Sequence, residues 1–131
     1  MIIKQLSVFV ENKFGRVTDI ISALGKNNID ISALSLADAS EFGILRLIVD
    51  DPEKAKEILT GTGVIVRISN VVAAPIEDVP GGLDAVLTIL KNNGISIEYM
   101  YAFAGRDGKG KACVVFGASD NEAAEQALEV L

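Results

Sequence analysis

Gln5–Val10 is a short, apolar, β-branched run that stops at the polar Glu11, Asn12 and Lys13, the pattern of a strand entering a loop. After Gly15 the period changes. Val17, Ile20, Ile21 and Leu24 fall at i, i+3, i+4 and i+7, with Asp19, Ser22 and Lys26 off that stripe, which predicts a helix with one buried face. The polar Lys26–Asn28 closes it, because asparagine tolerates the left-handed backbone that ends helices. Ile31–Ala37 and Gly43–Val49 then read as two strands joined by a hairpin turn. Asp51, Pro52 and Glu53 supply an N-cap, a first-turn proline and an acid matched to the helix dipole, so a second helix is expected to Leu59, stopping at Gly61. Val64–Ile68 adds a last strand, and the order is βαββαβ.

The same succession returns sixty-six residues later. Glu11–Ile31 (ENKFGRVTDIISALGKNNIDI) aligns without a gap to Glu77–Ile97 (EDVPGGLDAVLTILKNNGISI), with identity at Glu11/Glu77, Gly15/Gly81, Leu24/Leu90, Asn27/Asn93, Ile29/Ile95 and Ile31/Ile97. Such a repeat implies two modules, residues 1–69 and 70–131. In the second, Leu83, Val86, Leu87 and Leu90 repeat the helical stripe, Asn92–Gly94 the turn, Ile95–Phe103 and Lys111–Phe116 the strands, and Asp120–Glu122 the start of the second helix. The glycine-rich GRDGKG at 105–110 reads as a hairpin turn, since its glycines are not spaced as a phosphate cradle and it leads into a strand rather than a helix. No counterpart of Val64–Ile68 follows the second module's last helix. In a sheet of order 4-1-3-2 its first strand, Val71–Ile76, is therefore expected at an edge. Pro75 fits that position, because proline cannot donate to a ladder, or else it simply ends the strand early.

Composition narrows the function classes. With 131 residues, each module is near the size at which only about 60% of the unfolded surface is buried, so the modules are expected to lean on each other or on a second chain. Half the residues are hydrophobic and only 23% charged, a surplus of apolar surface that points to a buried interface and a homo-oligomer. A net charge of −6 and a pI near 4.6 argue against nucleic acid, whose phosphates are held by clustered Lys and Arg. The longest apolar runs are strand-sized, and no long apolar leader opens the chain, so neither a membrane nor export is expected and the cytoplasm is the expected place. The single cysteine, Cys113, sits in the apolar run ACVVF and reads as a small core residue; disulfides and cysteine metal sites are excluded. There is no histidine, which removes Ser/His and Cys/His relays, and no pair of carboxylates is placed by the sequence in a dry pocket. A catalyst is not expected, nor a metal or cofactor.

Each module carries, between its first strand and first helix, a loop of the form Asn/Asp, two residues, Gly, any residue, aliphatic: Asn12–Val17 (NKFGRV) and Asp78–Leu83 (DVPGGL). This pattern, in two copies spanning the chain, resembles the ACT domain family. The resemblance implies two tandem ferredoxin-like βαββαβ modules of class α+β, with antiparallel sheets and helices on one face, the second read above as lacking its last strand. It further implies a regulatory protein that binds an amino acid. The physics of the loop agrees, because a glycine at the turn exposes backbone N–H groups at a helix N-terminus, where a carboxylate is favoured. By resemblance, the ligand lies between this loop and the second strand of a neighbouring module. Asn12, Lys13, Phe14, Gly15, Arg16 and Val17 would then face Glu98, Tyr99 and Met100, while Asp78, Val79, Pro80, Gly81, Gly82 and Leu83 would face Ser32, Ala33 and Leu34. Lys13 and Arg16 add positive charge to the first loop and favour it as the tighter site; alternatively they are solvated charges, and the tyrosines strand-packing residues. The alternative function is a ligand-free subunit that docks to an enzyme of amino-acid metabolism.

Overall fold

The computed structural model describes residues 1–37, 41–103 and 111–131. Its elements in chain order are β1 (Ile2–Glu11), α1 (Arg16–Lys26), β2 (Ile31–Ala37), β3 (Phe42–Val49), α2 (Pro52–Gly61), β4 (Ile65–Glu77), α3 (Gly82–Asn92), β5 (Ile97–Ala102), β6 (Lys111–Ala118) and α4 (Asn121–Leu128). They gather into two compact units, Lys4–Ser69 and Met1–Ile3 with Asn70–Leu131. The hairpin expected at GRDGKG lies outside the described residues.

In the unit Lys4–Ser69 the strands lie in the order β2-β3-β1-β4, with β1–β3 and β2–β3 antiparallel. Alternation sends Leu6, Val8 and Val10 of β1 and Leu45, Leu47 and Val49 of β3 to one face, where they meet Ile20 and Leu24 of α1 and Ala55 and Leu59 of α2. Leu6, Leu24, Leu45, Leu47 and Leu59 are almost wholly buried, and burial of such a side chain stabilises the fold by about 1.5–3 kcal/mol. The second unit repeats the plan with β4-β6-β5, and Val72, Ala74, Val114 and Phe116 pack against Val86 and Leu90 of α3 and Ala124 of α4.

Two expectations change. The runs Val64–Ile68 and Val71–Ile76 are not separate strands but, from Ile65 on, parts of one, the 13-residue β4. Ser69 and Asn70, which read as a break, continue the extended chain, and the Asn70 carbonyl accepts a hydrogen bond from Asn121 Nδ2 at 2.9 Å. Nor is the second module's first strand an edge along its length. The place of the missing fourth strand is taken by Met1–Ile3: the Ala73 N–H donates to Met1 O at 2.7 Å, and the Met1 ammonium donates back to Ala73 O at 2.9 Å. Pro75 lies two residues further on, its nitrogen on the same side as that of Ala73 and past this pairing, so its missing N–H costs no ladder bond there.

Candidate functional site

The two glycine loops begin alike. Gly15 and Gly81 each occupy the N-cap of their helix with φ of +82° and +87°, a left-handed backbone that a Cβ disfavours. Among the described residues, neither α1 nor α3 receives a side-chain cap. The other two helices do: Asp51 accepts from the Lys54 N–H at 3.2 Å and Asp120 from the Ala123 N–H at 3.0 Å. The glycine-led helices thus start without the carboxylate that satisfies first-turn N–H groups elsewhere in the chain.

Past that shared start the loops differ. In the first, the Asn12 N–H donates to Glu41 O at 2.9 Å and the Lys13 N–H to Glu11 O at 2.8 Å, folding the chain tightly after β1. Lys13 Nζ pairs with Glu11 Oε2 at 3.1 Å, and Arg16 Nη1 stands 4.0 Å from Asp19 Oδ2, all four side chains well exposed. Each cation already has an acidic partner, although exposed pairs of this kind are screened and weak. Phe14 is wholly exposed, whereas Val17 packs on the core. Asn12, Lys13 and Val17 line one open hollow of about 270 Å³ together with Leu36, Ala37 and Gly43 of the same unit. Arg16 turns to a different one of about 540 Å³, beside Asp19, Phe9, Phe42 and Val64. The two basic residues of the loop therefore do not converge on one hollow.

In the second loop the Gly82 N–H donates to Val79 O at 3.0 Å, as the Arg16 N–H does to Lys13 O at 3.3 Å in the first, while Val79 is largely exposed and Leu83 packs on the core. Here two glycines are needed for two reasons. Gly81 is required by its φ, with open space around it. Gly82 is required by space, because a Cβ there would run into the Glu77 carbonyl oxygen. Glu77 itself is tied to Lys111 at 2.8 Å, and Asp78 is exposed at the start of the loop.

The strand residues named with each loop belong to the other unit. Both strands carry a β-bulge at the same repeat position. Pairing steps from Ile31↔Val49 to Ala33↔Ile48 and from Ile97↔Ala118 to Tyr99↔Gly117, leaving Ser32 and Glu98 as the extra residues. After the bulge, Leu34 and Met100 lie on the helix face opposite Leu47 and Phe116, partly exposed, while Ala33 and Tyr99 lie on the other face. Tyr99, Met100 and Tyr101 do not act as one group: Met100 is separated from the two tyrosines by the sheet. The Tyr99 ring covers Gly117, and a Cβ at 117 would stand 2.5–2.8 Å from its outer atoms. Leu36, Ala37 and Gly43, which share the first loop's hollow, escaped sequence reasoning because an exposed leucine on an alternating strand is an unremarkable signal.

Cys113 pairs with Pro75 on the face away from the helices and is only half-buried, not the core residue its apolar run suggested; burial still pushes its thiol up from the ordinary value. Among the described residues, no group of three or more His, Cys, Asp or Glu is placed to hold a metal ion, and no helix is long and apolar enough to cross a membrane.

No curated protein matches the chain. Among solved structures, it is similar to a protein of Bacteroides thetaiotaomicron, with 43% identity over 99% of this chain and 88% of that one and a TM-score of 0.91. It is also similar to the regulatory subunit of aspartate kinase from Thermus thermophilus in its ligand-free form (16% identity, 99% and 96% covered, TM-score 0.70) and from Thermus flavus (15% identity, 99% and 94% covered, TM-score 0.65). At these identities the two Thermus likenesses show the fold alone. The family described as the ACT domain pair matches residues 1–131, the full length of this chain. By that match the chain, whose two glycine-led helices start alike, belongs to the ACT domain pair family.

Proposed function

We propose that the chain is a non-catalytic regulatory protein that binds an amino acid, its glycine loops supplying the backbone donors for the ligand carboxylate. The observation that carries this reading is the contrast among the four helix starts. Asp51 and Asp120 cap α2 and α4 from within the chain, whereas α1 and α3 begin at Gly15 and Gly81 with no side-chain cap. A carboxylate from a ligand would do there what the aspartates do at the other two helices. Asn12 and backbone carbonyls offer acceptors for the ligand ammonium. The structural likeness to regulatory subunits of aspartate kinase supports an enzyme of amino-acid metabolism as the partner that reads the bound state. Working as a cytoplasmic homodimer, the protein would couple ligand to partner by about 1–3 kcal/mol, the usual size of such linkage. Titration calorimetry of the full chain against each of the twenty amino acids at millimolar concentration is expected to give heat of binding for at least one. Absence of heat for all twenty, from protein shown to be folded, would overturn the reading.

A second reading, a subunit that docks to an enzyme without ligand, is favoured by the apolar groups exposed in the first unit: Phe14 at the loop tip, and Leu34 and Leu36 on β2. Replacing Gly15 and Gly81 with bulkier residues separates the two. Partner binding that survives unchanged supports docking alone, and a pull-down that recovers no partner removes it.

A further inference from the structure

We infer that two copies of the chain join edge to edge through β2, which pairs antiparallel with its own counterpart about Ser35. The inference rests on the homodimer of the leading reading, not on its ligand, and names the surface that makes it.

After the bulge at Ser32, β2 runs Ala33-Leu34-Ser35-Leu36-Ala37, which reads the same in both directions. These five residues are also the regular part of the strand, paired one for one with Ile48, Leu47, Arg46, Leu45 and Ile44 of β3 without a further shift. Among the described residues β2 is the outer strand of its unit, so its far side offers backbone N–H and C=O groups to another strand. An antiparallel partner runs the opposite way, and a palindromic strand therefore meets itself in the same order. Centred on Ser35, the register sets Leu34 against the second copy's Leu36, Leu36 against its Leu34, the alanines against its alanines and Ser35 against its Ser35. Both leucines lie on the helix face, and the alanines and serine on the other. A two-fold axis normal to the sheet then keeps the helices of both copies on one side and every pair like with like. A slip of two residues, the smallest that preserves the faces, leaves one leucine pair instead of two.

Charge and exposure favour a second copy as the occupant. Sheet edges are commonly kept apart by charged residues and proline, and β2 has neither from Ile31 to Ala37. The chain carries a net charge of −6, so two copies repel over much of their surface and approach at least cost along an uncharged stretch. Leu34 and Leu36, 48% and 53% exposed, would be withdrawn from water by the pairing. The outer strand of the second unit, β5, differs, because the exposed Glu98 stands at its bulge. Leu36 also lines the hollow shared by Asn12, Lys13 and Val17, so the register sets the second copy's Leu34 beside the first glycine loop.

The test is sedimentation velocity on three forms of the full chain: wild type, Leu34→Lys with Leu36→Lys, and Leu34→Glu with Leu36→Glu. Where the wild type sediments as a dimer, each variant alone is expected as a monomer, since the register sets like charges face to face. An equimolar mixture of the two variants is expected to return to a dimer with one chain of each kind. Wild type that stays monomeric up to millimolar concentration would overturn the inference and the homodimer together, leaving amino-acid binding to stand on the calorimetry. Variants that stay dimeric, or folded monomers whose mixture does not recombine, would overturn the inference alone. Should a variant lose its circular dichroism, hydrogen exchange of the wild-type dimer decides. Consecutive amides from Ala33 to Ala37 are expected to be protected, because alternate ones face β3 and the second copy. Protection at every second amide only would overturn the inference.

Discussion

Of the glycines at 15, 81, 82 and 25, two are held by backbone conformation, one by space and one by neither. At Gly15 and Gly81 only the positive φ forbids a side chain, so Gly15→Ala and Gly81→Ala are each expected to lower stability by about 1–2 kcal/mol, the cost of placing an L-residue in the left-handed region. Gly25, near the end of α1, has ordinary helical backbone and open space, so Gly25→Ala is expected to raise stability by about 0.5–1 kcal/mol. Urea unfolding of the three variants checks both the signs and the sizes. The other repeated identities also have physical causes. Asn27 and Asn93 each donate through Nδ2 to the carbonyl four residues earlier, both at 2.8 Å, which satisfies the last turn of α1 and α3. Leu24 and Leu90 are buried to within 1% of completely. Glu11 and Glu77 share a position but not a partner, pairing with Lys13 and Lys111. The need for glycine at 15 and 81 was legible in the sequence, because a conformational demand repeats with the motif. The need at 82 was not, because it comes from a carbonyl five residues back whose direction no residue type announces.

Among the elements, the strands that follow the first helix of each module are the most informative. Their existence was readable from composition: Ile31–Ala37 is as expected, and the second runs Ile97–Ala102 where Ile95–Phe103 was expected. Their bulges were not, since one extra residue reverses the alternation locally without altering the run of residue types, and the reversal decides which of Tyr99, Met100 and Tyr101 share a face. The bulge also brings Tyr99 over Gly117. Here a ring makes up for the side chain that glycine lacks, an arrangement that protects a strand glycine from solvent. Gly117→Ala is expected to push the ring aside at a cost of about 1–3 kcal/mol, as overpacking does. In a Tyr99→Ala background the same substitution should cost less than about 0.5 kcal/mol. A double-mutant cycle by chemical unfolding measures the difference, and equal costs in both backgrounds would remove the coupling. The helix starts were legible where a side chain does the capping, since Asp51-Pro52-Glu53 and Asp120 name themselves.

For the molecule as a whole, the duplication was plain in the sequence, but the way the second unit is completed was not. Ile2 and Ile3 read only as apolar residues ahead of a strand, and nothing local marks them as partners for β4. Met1 and Ala73 exchange both backbone hydrogen bonds, an antiparallel pair joined across 72 positions. The Met1 ammonium also lies 3.4 Å from Glu125 of α4, within the same unit. By the alternation of a strand, the Ile3 N–H faces β4 as that of Met1 does, so Ile3→Pro removes a ladder bond from the second unit. Hydrogen exchange is expected to show protection falling at Val71–Ala74 by more than at Leu45–Val49; an equal fall in both stretches would show that Met1–Ile3 serve the first unit instead. The same pairing bears on the order of assembly. β1 is synthesised long before β4 is, and a contact between segments so far apart carries a large loop-closure entropy if the segments must find each other unaided. Once Lys4–Ser69 has folded, β1 is already extended and the search is over for that strand. The second unit then closes on a ready-made template, so its folding should follow that of the first, and a slow or damaged first unit should delay the second though no residue of the second has changed.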